Sequence, residues 1–362
     1  MKFLDDILLE QTGSTPAAPV SNDFGILYAS SSKLHFRNSV TNVTLGQTNG
    51  RINILYYTGS RTQTENYTYT VPSGLVFAEI ICVGAGGCGG SGRGSNVAAV
   101  TTIGIRQGGS GGAGGTIVRS FYSVNELGGV GNTHTVTVQL GGAGGAGVVP
   151  IANGINGSTG GNTSFGTLVV ATGGQGGELG TTGGTRTAAT SSINTCTPPS
   201  AVYAIIGQPG STSGTTALTT TPGIALTSPF GCSAGGTGGG FGGTGGSQRE
   251  ASSGSSAYQW ETLVTNGGTP GALKLDGTPG GNGSPGTDNL SVSLLHFTSS
   301  IVNLQYGIGG GGHGGGYPTG SGGNGGLFGA GGGGGASSWS TTKRSGAGGS
   351  GSAGVCIVVE YL

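Results

Sequence analysis

Charged side chains are nearly absent from this chain: 13 basic and 13 acidic residues stand among 362, and they cancel to a net charge of zero. Without a Lys/Arg cluster nothing is available to release counterions from a phosphate backbone, so no nucleic-acid partner is expected. Neutrality also opposes disorder, because chains too polar to fold usually carry excess charge. Long hydrophobic runs are missing as well. The longest, such as Val355 to Val359, fall far short of the roughly 20 residues a bilayer crossing needs, and no membrane insertion is expected. The first residues carry Asp5, Asp6 and Glu10 where a secretory leader would have a basic segment and an apolar core. Five cysteines is an odd count. In reducing cytosol Cys82 and Cys356, each inside an apolar strand-like run, read as buried thiols rather than a disulfide.

Glycine is what the chain has instead, 87 residues of 362, roughly a quarter against an average of about 7%. It comes in a Gly-Gly-X register: GGCGGSG from Gly86, GGSGGAGG from Gly108, GGAGGAG from Gly141, GGTGGGFGGTGG from Gly235 and GGNGGLFGAGGGGG from Gly322. A period of three fits neither helix nor strand; it fits the polyproline-II spiral, with three residues per turn and no internal hydrogen bonds. Every backbone group in such a segment needs a partner on a neighbouring one. A bundle of parallel and antiparallel polyglycine spirals follows, with Gly at the inter-spiral positions, X elsewhere, and loops displayed at both ends. Collagen is excluded because the period breaks, as at Gly240, and proline is scarce.

Strand-like alternation surrounds the glycine blocks. Leu75 to Val83, Thr116 to Tyr122, His134 to Leu140, Ser164 to Val170 and Val355 to Tyr361 read as strands, and Pro72-Ser73-Gly74 as a turn. The expected fold is all-β: a β-sandwich base carrying a polyglycine spiral bundle, over residues 63–362. Residues 23–62 hold a hairpin from Phe24 to Asn38 and two further short strands, a region too small to bury much and read as an oligomerisation or attachment region. Residues 1–22 read as an N-terminal anchor: Phe3, Leu4, Ile7 and Leu8 form an apolar stripe at helical spacing, which either packs on its own chain or is buried in another subunit. The loops at 96–107, 185–230, 247–265 and 336–345 differ in composition from the spirals. They contain Tyr203, Arg249, Tyr258, Trp260, Trp339 and Arg344, which are either plugs on the bundle or binding anchors.

Motifs with chemistry fail one by one. Gly84 to Gly89 spells G-x-G-x-x-G after a strand, but the following GGSGRGSN cannot be the helix that a dinucleotide fingerprint requires, and no acid lies between Glu79 and Glu126. His35, His134, His296 and His313 have no metal-ligand spacing, Asp276 and Asp288 sit in turn contexts, and no carboxylate pair or nucleophilic triad stands out. No enzymatic activity, cofactor or metal is expected.

From Glu65 to Leu362 the chain resembles the glycine-rich domain of bacteriophage tail-fibre and receptor-binding proteins. The likeness rests on Tyr-Thr-Val-Pro-Ser-Gly at Tyr69 to Gly74, the strand running into GAGG at Gly84 to Gly87, Thr-Val-Thr-Val-x-x-Gly-Gly at Thr135 to Gly142, Asn-Thr-Ser-Phe-Gly at Asn162 to Gly166, and the closing Gly351 to Tyr361. Pro16-Ala17-Ala18-Pro19 with the hairpin at Gly25 to Phe36 is similar to N-terminal segments of phage fibre and appendage proteins. The resemblance implies a virion adhesin, made in the host cytoplasm and exposed on the particle. It would be a homotrimer that binds other virion proteins through its N-terminus and a host surface protein or glycan through its loops. A head fibre or capsid decoration protein without a dedicated receptor is the alternative; an ice-binding protein and a depolymerase are weaker ones.

Overall fold

The computed structural model describes residues 52–60, 62–94, 107–181, 272, 280–286, 314–315, 318–338 and 342–362 in full, and the backbone alone of the strands outside those stretches. The described residues contain no helix. Strands β1 (Ile26–Ser30), β2 (Lys33–Arg37) and β3 (Asn42–Leu45) make one antiparallel sheet. The sandwich is built from β4 (Ile52–Thr58), β5 (Glu65–Thr70), β6 (Phe77–Val83), β7 (Ile117–Ser123), β8 (Thr133–Val138), β9 (Thr163–Phe165), β10 (Val169–Ala171), β11 (Ala201–Ile205) and, at the end of the chain, β18 (Val355–Tyr361). Three two-strand pairs intervene: β12 (Gly240–Phe241) with β13 (Gln248–Arg249), β14 (Ala257–Gln259) with β15 (Thr262–Thr265), and β16 (Leu294–Leu295) with β17 (Asn303–Leu304).

The sandwich has a four-stranded sheet in the order β10-β9-β8-β5 and a five-stranded sheet in the order β11-β7-β6-β18-β4, all antiparallel. Alternation sends Ala78, Ile80, Cys82, Val118, Tyr122, Cys356 and Val358 into the inter-sheet core against Tyr69, Val136, Val138 and Phe165. The other face of the five-stranded sheet carries Ile81, Val83, Ile117, Val355, Ile357 and Val359, packed with Phe328. That is why β6 and β18 read as nearly unbroken apolar runs: both of their faces are buried. Gly74 turns at φ 85°, as Pro-Ser-Gly predicts.

Three expectations about the strands need correction. The run Ser164 to Val170 is two strands, because Gly166 at φ 52° reverses the chain and Leu168 N–H donates to Phe165 O (3.1 Å), making a β9–β10 hairpin. β4, grouped by sequence with the attachment region, is the edge strand of the sandwich through its pairing with β18. Tyr203, expected in a loop, lies in β11, at the register position opposite Arg119.

Above the sandwich stands the spiral bundle. Residues 84–94 form its axis and donate hydrogen bonds in threefold rotation: Gly84, Gly87, Gly90 and Arg93 to residues 107–116; Ala85, Cys88, Ser91 and Gly94 to 152–161; Gly86, Gly89 and Gly92 to 346–352. These three neighbours run antiparallel to the axis. Its carbonyls accept from three parallel neighbours, 142–145, 174–180 and 332–338. The six are also bonded to one another in a closed ring, 107–116 to 172–181 to 154–161 to 139–148 to 345–354 to 329–338 and back. Seven spirals thus pack hexagonally; residues 318–325 add a further spiral outside 329–338 and 345–354, and 280–286 another outside 318–325.

X is not left outside this lattice, as the sequence suggested. Cys88, Ser91, Ser110 and Ala113 are fully buried. Where X is serine, its oxygen takes an N–H that no carbonyl reaches: Ser91 Oγ accepts from Ile155 (2.7 Å), Ser110 Oγ from Glu178 (2.6 Å), Ser158 Oγ from Ala143 (2.7 Å) and Ser352 Oγ from Ala330 (2.7 Å). Asparagine does the same at rim positions, with Asn156 Oδ1 accepting from Leu179 and Asn324 Oδ1 from Ser350.

Candidate functional site

Strand and spiral are continuous wherever they meet: β6 enters 84–94, residues 107–116 enter β7, β8 enters 139–148, β10 enters 173–181 and residues 345–354 enter β18. One end of the bundle is therefore seated on the sandwich. Gly94, Gln107 and Ser338, described residues that border the expected loops 96–107 and 336–345, lie at the other, distal end, whereas β11 holds part of the expected loop 185–230 on the sandwich.

The described part of that end is organised around residues 147–153. Gly94 N–H donates to Ala152 O (2.9 Å), and Ala152 N–H closes a bend on Val149 O (3.4 Å). Ser345 N–H donates to Val148 O (2.9 Å), and Val148 N–H donates to Ser345 Oγ (2.9 Å), fixing the second side of the bend. Its crest is apolar and exposed: Val149 is 50% accessible, Ile151 64%, and Ile155, one spiral turn on, 47%. Ile151 is held at φ 71°. A β-branched residue in the left-handed region costs on the order of 1–3 kcal/mol, and such strain clusters at functional sites.

Cations frame the crest. Arg93 donates through Nη1 to Asn153 Oδ1, and exposed Arg344 donates through Nη1 to Gly147 O (3.3 Å), with Lys343 beside it. Residues 91–94, 107–109, 146–155, 179–181, 336–338 and 342–346 include no acidic side chain. The described part of the distal end is thus an exposed apolar crest near Arg93, Lys343 and Arg344, with half-buried Glu178 on the spiral bonded to 154–157, on backbone that is hydrogen-bonded back to the axis.

Of the sequence-derived candidates, Arg344 is placed at this site. Tyr203, Arg249 and Tyr258 lie in β11, β13 and β14, whose backbone alone is described; Trp260 and Trp339 lie outside the described residues, as do Phe3, Leu4, Ile7 and Leu8. Sequence reasoning missed Val149, Ile151 and Ile155, because it sought aromatic and charged residues in long loops. The signal available was Val-Val-Pro-Ile closing a GGX block, where an apolar run has no core to enter.

Gly84 to Gly89, which spells the dinucleotide fingerprint, lies in the bundle axis, and residues 84–94 are spiral where that motif would need a helix to begin. Among the described residues no three or more His, Cys, Asp or Glu side chains gather as metal ligands. His134 stacks on Phe165 (4.9 Å between ring centres), with Nε2 3.0 Å from Leu127 O. The cysteines described are free and buried: Cys82 and Cys356 face each other across β6 and β18, with sulfurs 3.6 Å apart. Cys88 donates to Ala143 O and to Ser158 O (3.0 Å), and burial pushes its thiol up from 9.0 to about 11.

No curated protein matches the chain. A family model described as glycine-rich domain matches residues 61–361, beginning between β4 and β5 and taking in the rest of the sandwich with the whole described bundle; the chain belongs to this glycine-rich domain family.

Proposed function

We propose that this protein is a bacteriophage virion adhesin, a tail-fibre or receptor-binding protein whose bundle presents its distal end to the host surface. The observation that carries the reading is the crest at residues 149–155: large apolar side chains stand exposed at the end of a scaffold that buries Cys88, Ala113, Val148 and Phe328, and Arg93, Lys343 and Arg344 frame them. Exposed apolar groups rimmed by charge mark interaction surfaces. A backbone already fixed by hydrogen bonds also loses little entropy on binding. The aromatic candidates Tyr203, Tyr258, Trp260 and Trp339 with Arg249 belong to the same reading as further anchors. The partner is a host surface protein or glycan, the N-terminal region with Phe3, Leu4, Ile7 and Leu8 attaches the protein to the particle, and no enzymatic step is involved.

The test is adsorption. Particles carrying Ile151→Asp, or Arg344→Ala with Lys343→Ala, are expected to adsorb to host cells at least about 30-fold more slowly, the factor corresponding to roughly 2 kcal/mol from one interface anchor, while the isolated protein melts as the parent does. Adsorption at the parental rate would replace this reading with a head fibre or capsid decoration protein.

A further inference from the structure

The five-stranded sheet ends in an open strand. β4 pairs with β18 along its whole length, from Ile52↔Tyr361 to Thr58↔Val355, with no register shift. On its other side no described backbone group pairs with it; Thr58 O, at the end of the row, accepts from the Tyr67 hydroxyl (2.7 Å). An unpaired row of N–H and C=O groups is a template for another strand, and natural edges are usually blunted by lysine, proline, inward charge or a bulge. β4 reads INILYYT and has none of these. Every residue in it retains partial exposure, and Tyr56 is 42% accessible.

We propose that this edge docks a second copy of the chain, β4 against β4, antiparallel about a twofold axis at Leu55. The sequence of the strand is what selects a copy of itself. Turned about Leu55, Tyr57 comes opposite the second copy's Asn53, Ile54 opposite its Tyr56, Ile52 opposite its Thr58, and Leu55 opposite itself. Residues directly opposite share a face in an antiparallel pair, and these do. Leu55 and Tyr57 pack on the inter-sheet core, as Ile52 and Ile54 do on the outer face. No like charges oppose each other, since the strand has no charged residue. The union is isologous and closes as a dimer, in place of the homotrimer that the resemblance implies, rather than growing into a filament. It is independent of what the distal end binds.

Sedimentation equilibrium of the full chain reads the claim. A dimer is expected at 69.6 kDa, twice the 34.8 kDa chain. Tyr56→Lys, placed on an exposed position, should raise the dimer dissociation constant about tenfold or more while the melting curve stays parental. Hydrogen exchange of the unaltered protein gives a second readout: β4 amides should exchange faster on dilution into the monomer range, with β6 amides unchanged. A single-chain mass at all concentrations, a three-chain mass, a dimer indifferent to Tyr56→Lys, or β4 exchange independent of concentration would each overturn the proposal.

Discussion

A methyl group at Gly112 would overlap the carbonyl of Gly87, and one at Gly144 the carbonyl of Gly348. Both carbonyls belong to neighbouring spirals, so a side chain must push the backbones away from each other and strand the hydrogen bonds between them. Each stranded buried group costs about 1–3 kcal/mol. Gly112→Val and Gly144→Val are therefore expected to destabilise by about 3 kcal/mol or more, whereas Ala143→Val, at an exposed X, stays within about 0.5 kcal/mol; denaturant midpoints check both. Ser110→Ala separates the two kinds of X, because it leaves Glu178 N–H without its acceptor and should cost about 1–3 kcal/mol. Cys88 gives a pH signature. Its thiol is neutral in the folded bundle up to about pH 11, yet in the unfolded chain it ionises near 9.0, so above pH 9 the unfolded state holds fewer protons and is favoured. Tyr57, pushed up to about 12 by burial and by Cys356 and Glu360 nearby, acts in the same direction. Melting temperature should be flat below about pH 8.5 and fall from pH 9 to 11, with a shallower fall in Cys88→Ala.

Among the described elements, β6 and β7 share a buried ion pair. Glu79, fully buried on the outer face of the five-stranded sheet, is paired with Arg119 and accepts a longer contact from the Tyr361 hydroxyl (3.5 Å). Removing one partner strands a buried charge, so Arg119→Ala should cost about 3–5 kcal/mol, while Glu79→Gln with Arg119→Met should recover most of it; urea unfolding of the variants decides. How far such elements can be read from sequence depends on the length over which a pattern repeats. The GGX blocks repeat long enough to declare their spirals, and β6 and β18 declare themselves through two buried faces. Ser164 to Val170 misleads because a three-residue strand, a glycine turn and another three-residue strand imitate one alternating run. β11 is hidden because it is recruited by the backbone edge of β7, which leaves little trace in side-chain pattern. At the candidate site, Arg344 was legible as a charge in a glycine-poor stretch. The Val149–Ile151 crest left only the trace of Val-Val-Pro-Ile closing a GGX block, and its place at the distal end follows from knowing which end of the bundle is seated on the sandwich.

At the scale of the whole molecule, the bundle and the sandwich depend on each other. Ordering backbone costs roughly 1–2 kcal/mol per residue, and more for glycine, against about 1 kcal/mol gained per hydrogen bond. Spirals alone cannot meet that cost. The strands that enter and leave them bury the apolar core and hold their ends in register, and in return the bundle carries a narrow crest far from the sheets without committing side chains to a second core. Such a pedestal has to be stiff to be useful, and its stiffness is measurable at single amides. Hydrogen exchange over Gly86 to Gly92, the axis whose N–H groups all donate to neighbouring spirals, tests this most directly. Protection equal to that of the β6 and β18 amides is the expected result; exchange within seconds, at the rate of an unstructured glycine-rich chain, would contradict the bundle and everything built on it.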